Sequence, residues 1–248
     1  MILSERRRSR PRPIIGVTAE SLAGMRHDPI EEALQHPATS KALHDQIRTR
    51  VGEGRVLDAL DAVDRALFLP DDEEIRQLAH LNVPIRLTEA LAIPQPSMLA
   101  IMAQFLGLTG EEAVLEIGTG TGWGAAVLSR LARTVDTVES DPELTASAEG
   151  RLRNLGFGNV TVHPGDGLLG LPDRAPFGAI LLTGSVQEVP QPLVDQLAVW
   201  GRMVVAKGPS IGQQLCRYTK RPDGTMEVMY GGPVKFIPLV SPSAATPK

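Results

Sequence analysis

Three short stretches carry residue types suited to holding a nucleoside. The first is Val114-Leu115-Glu116-Ile117-Gly118-Thr119-Gly120-Thr121-Gly122, an apolar run that enters a loop with glycine at every second position. Glycine there removes side chains that would keep a ligand from the backbone, and it permits positive φ. The second is Glu139, 21 residues after Gly118 at the end of the next apolar run, where a carboxylate can accept from both ribose hydroxyls. The third is Asp166-Gly167, just past the run that ends near His163, where an acid can reach an adenine amino group. Taken singly, these are a tight turn, a solvated strand end and a turn residue. Their succession at three strand ends points to one binding crevice.

Two cofactors compete for that crevice. Gly120-x-Gly122-x-x-Ala125 fits a loose dinucleotide fingerprint, so a nicotinamide-dependent dehydrogenase is the rival reading. Two details favour S-adenosylmethionine. Glycines recur at 118, 120, 122 and 124 instead of leaving a pyrophosphate-sized turn. Glu116 stands just before the loop, where an acid repels phosphate and suits an ammonium or sulfonium. The expected cofactor contacts are Glu116, Gly118, Thr119, Gly120, Thr121, Gly122, Glu139, Asp166 and Gly167.

The elements that must position these residues follow from the periodicity. From residue 112 onward short apolar runs alternate with helical segments, the pattern of a parallel sheet covered on both faces. Strands are expected at 113–117, 135–139, 160–163, 179–182 and 203–206, with helices at 125–132, 142–155 and 190–199. Beyond Gly208, strand-like stretches at 214–219, 226–229 and 234–237 are separated by Asp223-Gly224 and Gly231-Gly232, turn signals that predict a C-terminal antiparallel β element. Upstream, apolar residues from Val56 to Leu67 recur at spacings of three and four, which predicts one helix over 54–69 closed by Pro70. The acids Asp71 to Glu74 then open another. They read as complements to a helix dipole, and no histidine lies at a ligand-like spacing, so no metal site is expected.

The chain has 248 residues, 42% hydrophobic and 22% charged, enough for one sizeable core. Cys216 is the sole cysteine, and no run approaches the ~18 apolar residues of a membrane span, so a reducing, cytoplasmic setting is expected. Five arginines and Glu5 give residues 1–12 a net charge of +4, leaving −8 on the remainder of a chain whose total is −4. A domain that acidic repels phosphate backbones, so nucleic acid is not an expected partner, and neither is a membrane. The expected organisation is a disordered or extended arm over 1–40, a helical segment with the substrate-side loop over 41–110, the cofactor-binding domain over 111–240, and a tail over 241–248.

Over roughly residues 55–240 the sequence resembles the protein-L-isoaspartate (D-aspartate) O-methyltransferases. The resemblance lies in residues 114–126 (VLEIGTGTGWGAA), Val138-Glu139, Gly165-Asp166-Gly167, Glu188-Val189-Pro190, residues 201–205 (GRMVV) and residues 233–239 (PVKFIPL). It implies an α/β fold: a Rossmann-like, doubly wound methyltransferase sheet with an N-terminal helical segment and a C-terminal antiparallel β element. It also implies S-adenosylmethionine as cofactor and a carboxylate as methyl acceptor. One motif departs. Where the family carries GxGQTISQP, this chain has Thr88-Glu89-Ala90-Leu91-Ala92-Ile93-Pro94-Gln95-Pro96, so the family's serine is Pro94 and its threonine is Ala92. The acceptor-side residues implied are Pro94, Gln95 and Thr183, the last matching the family within an altered Thr183-Gly184-Ser185. Three functions follow. They are methylation of isoaspartyl sites in a peptide or protein, methylation of another carboxylate such as an aspartate of a dedicated peptide or a small-molecule acid, and a cofactor-binding module that has lost transfer.

Overall fold

A computed structural model describes residues 40–241. The expected arm with its arginines lies outside them, and so does the tail beyond Ser241. The chain opens with α1 (Ser40–Val51), α2 (Arg55–Asp61) and α3 (Glu73–Gln77), continues through a small antiparallel hairpin of β1 (Ile85–Arg86) and β2 (Ala92–Ile93), and enters α4 (Pro96–Leu106). Then come β3 (Ala113–Ile117), α5 (Trp123–Ser129), β4 (Thr134–Glu139), α6 (Pro142–Asn154), β5 (Val160–Pro164), β6 (Phe177–Val186), α7 (Gln191–Asp195), β7 (Leu197–Lys207), β8 (Gln213–Lys220) and β9 (Met226–Val234).

The seven main strands lie in the order β5-β4-β3-β6-β7-β8-β9. The first five are parallel and the last two antiparallel. Side chains alternate between two apolar layers. Val114, Val135, Ala179 and Val204 face a layer shared with α1, α2, α4, α5 and α6, whereas Leu115, Ile117, Val138 and Met203 face α7. The 41–110 segment therefore shares a core with the sheet.

Local chemistry sets most element ends. Asp141 caps α6 by accepting from Glu143 N and Leu144 N, Pro142 occupies the first turn, and Arg151 and Arg153 lie in the last. Asp72 caps α3 in the same way through Ile75 N. Gly107, at φ 63, ends α4 in the left-handed conformation.

Three expectations are corrected. The single helix over 54–69 is two pieces, because the Asp64 side chain accepts from Ala66 N and starts a separate 3-10 turn at Arg65–Phe68. The helix over 190–199 stops at Asp195, because Leu197 pairs with Phe177 and the chain becomes β7. Gly231-Gly232 is no turn: β9 runs through it beside a register irregularity opposite Leu215 and Cys216. A Cβ on Gly231 would stand 3.0 Å from the Phe105 ring. The Asp223-Gly224 turn forms as expected, with Arg221 N donating to Thr225 O.

Candidate functional site

Winding changes face between the neighbouring strands β3 and β6. From β3 the chain proceeds through α5 and α6 on one face, and from β6 through α7 on the other. Their carboxyl ends therefore flank the crevice of a doubly wound sheet. The glycine loop occupies this point, with Gly118, Gly120 and Gly122 at φ 93, 53 and 92. Positive φ was one of the two expected reasons for glycine, and it holds at all three.

The loop is held from several sides. Gly118 N donates to Val138 O at 2.9 Å, Arg151 Nη1 to Thr121 O at 2.8 Å, and the Thr183 hydroxyl lies 2.8 Å from both Ile117 O and Gly118 O. Beneath it a buried hydrogen-bonded chain runs from Thr119 Oγ1 to Thr137 Oγ1 and on to Glu116 Oε2, each step 2.7 Å.

Glu116, the acid expected to suit a sulfonium, stands at the end of this chain of hydrogen bonds. It is fully buried behind the loop, and its Oε1 has no hydrogen-bond partner. Burial, opposed by the Thr137 hydrogen bond and reinforced by the nearby Glu139 charge, pushes its pKa up to about 8. At neutral pH this favours the uncharged carboxyl. Thr119 and Thr121 are also buried, whereas Gly118 and Gly120 retain partial exposure.

Glu139 ends β4 and joins two loops. Its Oε1 accepts from Ser140 N at 2.8 Å and Asp141 N at 3.1 Å, and its Oε2 from Gly120 N at 2.9 Å. Ionised, it offers Oε2 one further lone pair. Asp166, past β5, accepts from Leu168 N through Oδ1 and from the Ser241 hydroxyl through Oδ2. A Cβ on the adjoining Gly167 would stand 2.5 Å from Ile117 Cγ2, so a side chain there would collide with the end of β3.

The segment expected on the acceptor side lies over this loop. Within the β1–β2 hairpin Leu87 N and Thr88 N donate to Leu91 O, and Leu91 Cδ1 stands 3.2 Å from where a Cβ on Gly120 would be. Pro94 and Gln95 follow at the start of α4, half-buried, and the Gln95 side chain makes no capping bond. On the other side Ser185 pairs with Pro238, and a Cβ on Gly184 would stand 2.6 Å from Leu239 Cγ, so the residues after β9 cross the carboxyl end of β6. Gln213, 1% exposed, fixes that crossing through Phe236 N, Phe236 O and the Ser185 hydroxyl.

Sequence reasoning passed over Arg65, Thr137, Arg151, Gln213 and Ser241. Thr137 had a visible signal, since two polar residues, Asp136 and Thr137, interrupt a strand expected to be apolar on both faces. The contacts that place the others at the site reach partners 16 to 75 residues away. Among the described residues no group of three His, Cys, Asp or Glu side chains could hold a metal, and no helix is long and apolar enough to cross a membrane.

Comparison with known proteins agrees with this geometry. The sequence profile of the protein-L-isoaspartate(D-aspartate) O-methyltransferases matches residues 38–244. Protein-L-isoaspartate O-methyltransferase 1 of Syntrophobacter fumaroxidans is 42% identical over 201 residues, 81% of this chain and 89% of that protein. A solved protein-L-isoaspartate O-methyltransferase superposes with a TM-score of 0.73 at 27% identity, over 81% of this chain and 65% of that one. The fold also matches a provisionally named enzyme of the same kind from Plasmodium falciparum, in complex with S-adenosyl-L-homocysteine. That match has a TM-score of 0.69 at 18% identity, over 81% of this chain and 98% of that one. The chain belongs to the protein-L-isoaspartate(D-aspartate) O-methyltransferase family, whose members are S-adenosylmethionine-dependent carboxyl O-methyltransferases.

Proposed function

We propose that this chain esterifies the free carboxylate of isoaspartyl residues in peptides and proteins. The observation that carries the reading is the acceptor-side hairpin seated on the glycine loop, Leu91 over Gly120, in a chain 42% identical to an enzyme named for that reaction. Bound S-adenosylmethionine supplies an electrophilic methyl group on a sulfonium. Glu139 would hold the ribose through the open lone pair of Oε2, Asp166-Gly167 would meet the adenine, and the backbone of Gly118 and Gly120 would face the remainder.

An acceptor carboxylate with a pKa near ~4 is already ionised at neutral pH, so no side chain has to remove a proton. The protein's work is to hold one carboxylate oxygen in line with the methyl group and to exclude water. Pro94 lacks the hydroxyl of the family's serine and has no N–H, so it cannot donate to the acceptor. The Thr183 proton is committed to the carbonyls of Ile117 and Gly118. Gln95, with no capping bond, remains a side-chain donor on this segment. The missing hydroxyl costs about 1–3 kcal/mol of acceptor binding without abolishing transfer. With a single buried cysteine, we place the protein in the cytoplasm.

The test is an intact-mass assay offering an isoaspartyl peptide, its aspartyl twin and small carboxylic acids. Methyl ester on the isoaspartyl peptide alone is the expected result. The absence of hydroxyls at Ala92 and Pro94 favours, as a second reading, a changed acceptor. Faster esterification of the aspartyl peptide or of a small acid would replace the first reading with the second. S-adenosylmethionine binding with no transfer to any of them would refute both.

A further inference from the structure

Arg65 is a cation enclosed by the protein. It is 3% exposed, and no carboxylate among the described residues pairs with it. Its guanidinium donates to four backbone carbonyls: Leu81 O at 3.2 Å, Val83 O at 3.0 Å, Ile93 O at 3.4 Å and Pro94 O at 3.0 Å. The guanidinium carbon also lies 5.2 Å from the centroid of the Trp123 ring, whose Nε1 donates to Val63 O at 3.3 Å. Burying a charge without a counter-ion is costly, and an apolar side chain would fill the same space more cheaply. What only arginine provides is a rigid planar fork that donates in several directions while its face stacks on a ring.

The positions of those partners say what the fork holds. Leu81 and Val83 precede β1, Ile93 ends β2 and Pro94 follows it, so one guanidinium ties together both legs of the hairpin that carries Leu91 onto Gly120. Trp123 is the first residue of α5 and follows Gly122 directly, so the stacked ring belongs to the cofactor loop. The fork and the ring thus connect the two halves of the site through one side chain.

We infer that Arg65 is a positioning residue for methyl transfer: stacked on Trp123, it fixes the height of the acceptor segment Ile93-Pro94-Gln95 above the glycine loop. This rests on the reading of that segment as the acceptor side. Arg65→Lys keeps a charge and a long stem but loses the fork. Trp123→Phe keeps a buried ring but loses the Nε1 donor and weakens the stacking. Both act on the acceptor through geometry and leave the backbone of Gly118 and Gly120 in place.

The experiment uses the full chain as wild type, Arg65→Lys, Trp123→Phe and Phe177→Leu. Phe177 is a fully buried residue on the α7 face, and its shortening lowers stability from the apolar layer opposite the one that holds Ile85 and Ile93 of the hairpin. Three quantities are read: KM for an isoaspartyl peptide, Kd for S-adenosylmethionine by calorimetry, and hydrogen exchange at the amides of residues 87–91. Arg65→Lys is expected to raise the acceptor KM at least tenfold with the cofactor Kd within twofold, and to speed exchange at those amides at least tenfold. Trp123→Phe is expected to shift the same quantities in the same direction by less, and keeps the test open should Arg65→Lys fail to fold. Phe177→Leu should lower the melting temperature and move none of them. The inference is overturned by an acceptor KM within twofold of wild type in both Arg65→Lys and Trp123→Phe, or by equal exchange in Phe177→Leu. A wild type that esterifies no isoaspartyl peptide refutes the proposed substrate, and the exchange measurement, which needs no acceptor, then decides on Arg65 alone.

Discussion

Glu116→Gln tests the buried acid under the cofactor loop. The side chain is fully buried, with one oxygen bonded to Thr137 and the other unpartnered, and its pKa stands near 8 against an ordinary value of 4.5. Between those two values the folded protein holds the proton more tightly than the unfolded chain does. Raising the pH through that window therefore destabilises the fold. At 1.36 kcal/mol per pK unit the loss is about 1 kcal/mol by pH 5.5 and about 4 by pH 8. Glutamine has the same shape, does not titrate, and still accepts from Thr137 through its carbonyl oxygen. Urea unfolding of wild type and Glu116→Gln at pH 5.5, 7 and 8 should show the variant gaining on the wild type by about 3 kcal/mol across the range. Every other titrating group is common to both proteins, so their difference isolates this carboxyl. A wild-type-to-variant difference that stays constant from pH 5.5 to 8 refutes the reasoning.

Further substitutions separate the roles around the loop. Gly118→Ala places a Cβ 2.6 Å from Thr183 Oγ1 on a backbone at φ 93, so a loss of about 2–4 kcal/mol is expected, and melting within 0.5 kcal/mol of wild type would contradict it. Glu139→Ala strips the amides of Gly120, Ser140 and Asp141 of their acceptor and should weaken S-adenosylmethionine at least about tenfold in calorimetry; unchanged affinity would remove Glu139 from the site. Pro94→Ser restores a hydroxyl and leaves the carbonyl held by Arg65 in place, so KM for an isoaspartyl peptide should fall about tenfold with the cofactor Kd unchanged. No change in KM would mean that the acceptor is not held from this position.

Most of the parallel strands were legible as short apolar runs ended by a turn residue, and the positions of Glu139 and Asp166 because each stands at or just past the end of such a run. Arg65 was illegible for a reason that lies in its own neighbourhood. In a continuous helix over 54–69, Arg65 falls four and seven residues from Asp61 and Asp58, on the polar face. The Asp64 cap breaks that helix, and the 3-10 turn that follows redirects Arg65 into the core. The wrong helix boundary and the missed residue are thus one error. The α7-to-β7 boundary failed differently, because residues 197–199 become strand through pairing with Phe177, a contact no local pattern encodes.

The alternating glycines suggested space for a ligand, and the structure gives most of that space to the protein. Cβ atoms on Gly118, Gly122 and Gly124 would meet Thr183 Oγ1 at 2.6 Å, Leu152 Cδ1 at 3.2 Å and Glu116 Oε1 at 2.3 Å. A methyl at any of these damages packing first, so lost activity there says little about cofactor contact. Gly120 differs: among the described residues the one neighbour within 4 Å of an added Cβ is Leu91 Cδ1 at 3.2 Å, the far end of a side chain on the β1–β2 hairpin. Its φ of 53 is a left-handed value that alanine tolerates at about 1 kcal/mol. Gly120→Ala should therefore melt within about 1–2 kcal/mol of wild type while binding S-adenosylmethionine or the acceptor at least tenfold more weakly. Stability lost as heavily as in Gly118→Ala, with both affinities intact, would place Gly120 among the packing glycines and move the site away from the loop.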